Sequence, residues 1–232
     1  MKLLKETNQA TQLHGRWYDD ACGTAFALEV IGERWSLLIV RELMLGGRRF
    51  SDLRRSLPGI SAKVLTERLE NLERSAVLIR RIEPPPASVR LYELTEWGYE
   101  AEGMLQEMGR WAARSPLHDP TMPLSSVSLM LSMRTMFDRE AATEFSGIIG
   151  FIVGEDHFLA EVGHGELNIR RSNSVEDAKA VFATPSAPVI AAAFFSGQPL
   201  SEFEGSAGLQ IIGDRTLAQR YSDMLELPAK IA

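Results

Sequence analysis

Between residues 41 and 90 the chain carries eleven basic side chains against six acidic ones, and ten of the eleven are arginine. Planar, permanently charged guanidinium groups at this density suit phosphate, which they grip with two parallel hydrogen bonds. Inside the same window, the segment PGISAKVLTERLENL (residues 58–72) offers a second kind of chemistry. Ser61, Lys63 and Thr66 present donors to phosphate or base edges, and Glu67 presents an acceptor for a cytosine amino group. Lys63 and Glu67 also stand four residues apart, so a surface ion pair between them is an equal reading. Cys22 is the only cysteine, which excludes a disulfide framework or a cysteine zinc cluster within one chain.

These side chains need elements to hold them. Pro58 and Gly59 close what precedes, Ser61 is a good N-cap, and Leu65, Leu69 and Leu72 fall on one stripe of a helix. Lys63, Glu67, Glu70 and Arg74 fall on the other side. The preceding RRFSDLRRSL predicts a short helix with Phe50, Leu53 and Leu57 inward and Arg48, Arg49, Arg54 and Arg55 outward. Two short helices across a Pro-Gly turn, the second amphipathic, are the parts of a helix-turn-helix. Upstream, helices are expected over Thr24–Ile31 and Arg34–Leu45 with Gly32 as the break, and Trp35, Leu38, Ile39 and Leu43 as the buried stripe of the second. Leu13, Trp17 and Tyr18 are packing candidates.

After Ser75 the period changes from helical to extended. Val77–Glu83 and Val89–Leu94 read as strands joined through Pro84, Pro85, Pro86, Ala87 and Ser88, a hairpin whose Arg80, Arg81 and Arg90 reach backbone phosphate. Thr95 then caps a helix running to about Ala113, and its apolar Met104, Leu105, Met108 and Trp111 suit a dimer contact.

At 232 residues, 45% hydrophobic and 24% charged, the chain fits two ordinary globular domains. The net charge of -6 is unevenly spread: residues 1–114 carry 17 basic against 16 acidic side chains, and residues 115–232 carry 8 against 15. No apolar run approaches the roughly 20 residues of a membrane span, and the N-terminus lacks the apolar core of a signal peptide, so a cytoplasmic protein without a membrane partner is expected. No HExxH, GxSxG, GxGxxG or phosphate loop occurs, so neither an enzyme nor a cofactor is expected. His157 and His164 stand among acidic residues, but hairpin turns gather such residues anyway, and no metal site is assigned.

Pro116, Pro120 and Pro123 mark a linker. Beyond it, residues 125–139 read as a helix rich in methionine, followed by a meander of antiparallel strands over Ile148–Val153, Phe158–Val162 and Glu166–Arg171. A strand at Ala180–Ala183, a helix opened by Pro185, a strand within Gly205–Ile212 and a closing helix capped by Asp214 complete the chain. Methionines adapt to irregular shapes, so the first helix suits either a plain core or the wall of a pocket for a flexible apolar ligand.

The segment from ACGTAFALEVIGERW through GGRRFSDLRRSLPGISAKVLTERLENLE to VRLYELTEWG resembles the HxlR family of winged-helix, MarR-like transcriptional regulators, over roughly Cys22–Trp111. Ser75-Ala76-Val77-Leu78 departs from the family pattern, which usually has a glycine there. The resemblance implies a homodimer on double-stranded operator DNA, with the Ser61 helix in the major groove and the arginine-bearing hairpin on the adjacent minor groove or backbone. The implied contact set is Arg49, Ser61, Lys63, Thr66, Glu67, Arg80, Arg81 and Arg90. Family regulators often carry a redox-sensing cysteine near the position of Cys22, which otherwise reads as a small packing residue.

TPSAPVIAAAFFSGQPL followed by GLQIIGDRTLAQRYSDMLEL resembles the sterol-carrier-protein-like domain. That resemblance implies an apolar cavity for a hydrophobic small molecule, with Met130, Met133, Phe137, Phe151, Phe158, Phe194 and Phe195 as lining candidates. The expected architecture is a mainly α winged helix-turn-helix with a β-hairpin wing over 1–114, a linker over 115–124, and an α+β antiparallel-sheet domain over 125–232. The expected function is transcriptional regulation under an apolar effector, with lipid carriage or redox sensing through Cys22 as alternatives.

Overall fold

Apolar residues at helical spacing form α1 (Gly23–Ile31), and the chain turns at Gly32 before α2 (Ser36–Leu43). A computed structural model describes residues 18–82 and 89–231; Leu13, Trp17 and the proline tip expected at 84–88 lie outside them. The described chain divides into two compact units. One is built from residues up to Leu43 and Gly47–Glu100, the other from Met44–Gly46 and residues from Ala101 onward.

In the first unit, α2 begins later than its apolar pattern suggests because Trp35 adopts a left-handed backbone, φ +82°, outside any helix. Its buried face is accordingly Ile39, Val40 and Leu43, while Trp35 is half-buried and Leu38 exposed. Next come α3 (Phe50–Ser56) and α4 (Ala62–Arg74). Leu53, Leu57, Leu65, Leu69 and Leu72 are all buried. Each leucine so buried contributes about 1.5–3 kcal/mol, and together they fix which side of α4 faces inward. Antiparallel strands β1 (Leu78–Ile82) and β2 (Arg90–Leu94) pair with Arg80 opposite Tyr92. Arg48, expected to point outward, is half-buried. Its backbone exchanges two hydrogen bonds with Tyr92, at 2.9 and 2.8 Å, extending the hairpin by one residue. Thr95 then opens α5 (Glu96–Ala113), its hydroxyl accepting the Gly98 N–H at 3.0 Å.

In the second unit, α6 (Ser126–Met136) is capped by Ser125, whose hydroxyl accepts the Ser128 N–H. Then follow β3 (Gly147–Val153), β4 (Asp156–Gly163), β5 (Glu166–Arg171), β6 (Ala180–Thr184), α7 (Ala187–Phe195), β7 (Gln210–Gly213) and α8 (Arg215–Ser222). The strand order is β5-β4-β3-β6-β7. β3, β4 and β5 are the expected antiparallel meander, but β6 pairs with β3 in parallel, so the sheet is mixed rather than antiparallel. The cause is the connection after β5, which crosses back over the sheet before β6 starts. Gly150 makes room for it: a Cβ there would lie 2.9 Å from the Val175 Cβ and 3.0 Å from the Ala178 Cβ. The last strand comes with its turn: Gly205–Ala207 coils into a 3-10 turn, and β7 follows and runs one residue past Ile212.

Candidate nucleic-acid interface

The entry to α4 is built locally. Ser61 sits in an extended conformation, and its hydroxyl accepts the Val64 N–H at 3.2 Å, satisfying one of the donors every helix leaves open at its start. With the leucine stripe buried, Ser61, Lys63, Thr66, Glu70 and Arg74 are exposed and Glu67 is half-buried. The structure therefore brings Ser61, Lys63, Thr66 and Glu67 together on the first two turns of one helix. Lys63 Nζ stands 3.9 Å from Glu67 Oε1, a loose surface pair that water and salt readily screen. The Thr66 hydroxyl donates to the Ala62 carbonyl at 3.0 Å, so its donor is engaged within the helix and its lone pairs face outward as acceptors.

The arginines divide by what already holds them. Arg80 lies 2.8 Å from Glu73 and 5.8 Å from the Tyr92 ring, and Arg81 lies 2.9 Å from Glu93. Arg49, at the N-cap of α3, and Arg90, at the start of β2, are exposed and form no ion pair among the described residues. Arg54 on α3 has the same character, a solvated cation that belongs with them and was legible as the outward face of RRFSDLRRSL. The Arg48–Tyr92 bridge ties the start of α3 to the strand that carries Arg90. Arg68 is the side chain that sequence reasoning missed. It is bound to Glu33 and to the Arg34 carbonyl across 34 residues of sequence, which no local pattern announces.

Cys22 is exposed at the N-cap of α1. The Thr24 backbone N–H, the Thr24 hydroxyl and the Ala25 N–H face its sulfur and hold the thiol below its ordinary value, although none closes a capping hydrogen bond.

The candidates of the second unit fall into two groups. Phe158, Phe151 and Phe182 are register partners across β4, β3 and β6 and so lie in a row on one face of the sheet. Phe194 and Tyr221 close on that row, with ring centroids 4.9 Å (Phe182–Phe194) and 5.8 Å (Phe151–Tyr221) apart. The Tyr221 hydroxyl, fully buried, donates to the Met133 sulfur at 3.7 Å, and burial pushes its pKa upward. Met130 and Met133 are fully buried. Phe137 and Phe195 stand outside this cluster. Phe137 ends α6, bridges Leu225 and lines a hollow of about 340 Å³ beside Glu102 and Arg134; Phe195 is half-buried at the end of α7. Phe182 and Tyr221 were not foreseen, since one signals only as a strand residue and the other as one apolar residue in the polar helix α8. Among the described residues no group of three or more His, Cys, Asp or Glu is gathered as metal ligands, and no helix is long and apolar enough to cross a membrane.

A capped amphipathic helix entered through a Pro-Gly turn, followed by an arginine-bearing hairpin, defines the class of helix-turn-helix transcriptional regulators. Comparison with known proteins makes the assignment particular: residues 30–118 match the HxlR-like helix-turn-helix model, and the chain belongs to that family. It is 38% identical over 86 residues to the regulator YodB of Bacillus subtilis, covering 37% of this chain and 77% of YodB. To the regulator YtfH of Escherichia coli it is 32% identical over 109 residues, covering 47% of this chain and 86% of YtfH. Among solved structures it is similar to the reduced form of YodB, with 34% identity, 43% of this chain and 100% of that chain covered, and a TM-score of 0.39. Residues after 118 lie outside the family match.

Proposed function

We propose that this regulator binds operator DNA as a homodimer, each α4 entering a major groove and each hairpin resting on adjacent backbone. The observation that carries the reading is the division of labour on the first unit. The capped, exposed start of α4 is mixed in charge and suits base edges, whereas Arg49, Arg54 and Arg90 are exposed cations that form no ion pair among the described residues and suit phosphate. Arg80 and Arg81 join them by exchanging Glu73 and Glu93 for phosphate oxygens. The exposed Met104, Met108 and Trp111 on α5 supply the dimer contact. Two half-sites on the order of 34–36 Å apart follow from such a dimer.

The second unit is read as a sterol-carrier-like domain that senses an apolar molecule and sets the activity of the first. Its support is the methionine and aromatic cluster on one face of the sheet, adaptable in shape and nearly free of polar atoms. Such an effector acts only if it binds one arrangement of the protein more tightly than the other. The cytoplasm, where DNA is met, is the compartment. A second reading, redox control, is favoured by the exposed Cys22 thiol and its lowered pKa.

The test is a titration of a duplex selected by the protein from a random pool, repeated across salt concentrations. Affinity is expected to fall steeply with salt, and Lys63→Ala or Arg90→Ala to weaken binding without unfolding, Arg90→Ala also lowering the salt slope by about one. A complex indifferent to salt would defeat the proposal.

A further inference from the structure

Arg68 belongs to α4 but leaves its outer face. Its Nη2 lies 2.7 Å from Glu33 Oε2, and its Nε donates to the Arg34 carbonyl oxygen at 3.2 Å, with only 16% of the side chain exposed. Both acceptors sit in the turn between α1 and α2. The next residue of that turn, Trp35, holds the left-handed φ of +82°. A bulky L-residue keeps such a backbone only where its surroundings fix it. Here they do: the Arg34 guanidinium lies 5.3 Å from the centre of the indole, and the far edge of the indole reaches 3.8 Å from where a Cβ on Gly59 would stand. Gly59, at φ +93°, is the turn residue two positions before the Ser61 cap.

The turn Glu33–Trp35 therefore grips α4 at two points, through Arg68 along the helix and through the Gly59 turn ahead of its N-cap. The leucine stripe determines which side of α4 is inward, but a row of similar side chains tolerates small rotations and slides. A two-pronged guanidinium grip does not, because both acceptors must stay in line with its donors. We propose that this turn is the seat that sets the angle at which α4 presents Ser61, Lys63 and Thr66, and that Arg68 is a positioning residue for DNA reading rather than a phosphate contact. The inference rests on the DNA-binding reading above.

The test compares full-length Arg68→Lys, Arg68→Ala and Glu33→Ala with wild type on two duplexes, one selected by the wild-type protein from a random pool and one of the same composition scrambled. All three variants are expected to lose about tenfold in affinity for the selected duplex and almost none for the scrambled one. Their salt slope and urea midpoint stay near wild type, since the pair is partly solvated and holds an angle more than it holds the fold. Arg68→Lys binding like wild type, or Arg68→Ala lowering the salt slope by about one, would make Arg68 a phosphate contact and overturn the inference. Equal losses on both duplexes would overturn it too. If the wild-type protein selects no duplex at all, the DNA-binding reading fails first and takes this inference with it.

Discussion

At the scale of the residue, Cys22 offers the cleanest chemistry because no second thiol competes with it. The Thr24 backbone N–H contributes most to lowering its pKa, then the Thr24 hydroxyl, then the Ala25 N–H. A lowered thiol pKa means a larger thiolate fraction near neutral pH, and the thiolate is the form that reacts. The rate of alkylation by iodoacetamide against pH is expected to rise with a midpoint below that of a free thiol, and Thr24→Val to move the midpoint part of the way back up. The backbone donors remain in that variant, so the return is incomplete. A wild-type midpoint at the ordinary thiol value would remove the footing of the redox reading. Oxidant-dependent DNA binding that survives in Cys22→Ser would do the same from the functional side.

At the scale of the element, the turn between α4 and β1 shows how a left-handed residue other than glycine is accommodated. Within Ser75-Ala76-Val77-Leu78, Ala76 takes φ +58°, and the Thr95 hydroxyl donates to its carbonyl at 2.8 Å. The turn keeps a left-handed geometry at the expense of crowding around an alanine Cβ. Ala76→Gly is expected to stabilise the chain by about 0.5–1 kcal/mol, the relief of strain exceeding the added freedom of the unfolded state. The measurement is the urea midpoint at unchanged slope. A lowered midpoint would show that the turn is unstrained. This turn also illustrates what the sequence makes legible. Helices α3 and α4, the hairpin and the meander were readable because Leu53 and the C-cap Leu57 of one helix, and Leu65, Leu69 and Leu72 of the next, stand three or four residues apart, and the strands change that period locally. The left-handed Trp35, the Arg68 grip and the parallel pairing of β6 with β3 were not. Each depends on a partner far along the chain, and Gly150, which admits the crossover, looks like any other glycine in a strand. The exposed residues at the start of α4 were legible for the same local reason, whereas the pairing of Arg80 with Glu73 and of Arg81 with Glu93 emerged only once the strands were folded.

At the scale of the whole molecule, charge and apolar surface point to assembly. Basic and acidic side chains nearly balance over residues 1–114, while residues 115–232 carry 8 basic against 15 acidic, so phosphate attraction is confined to the window rich in arginine and the rest of the chain is repelled by DNA. A single copy of that window is a modest anchor. Doubling it turns the second contact into an intramolecular one and raises affinity without any new kind of interaction. Helix α5 offers the means, since Met108 and Trp111 are 48% and 77% exposed and Met104 lies one turn before Met108 on the same face. Large apolar side chains aligned in this way are unfavourable in water, and the proposed two-fold dimer covers them with a second copy. Native mass spectrometry is expected to give twice the chain mass for the wild type. The double variant Met108→Glu, Trp111→Glu is expected to give the single mass and to bind a two-half-site duplex no better than one half-site. A wild-type monomer, or a double variant that remains paired, would move the dimer contact off α5 and leave the exposed methionines and tryptophan to another partner.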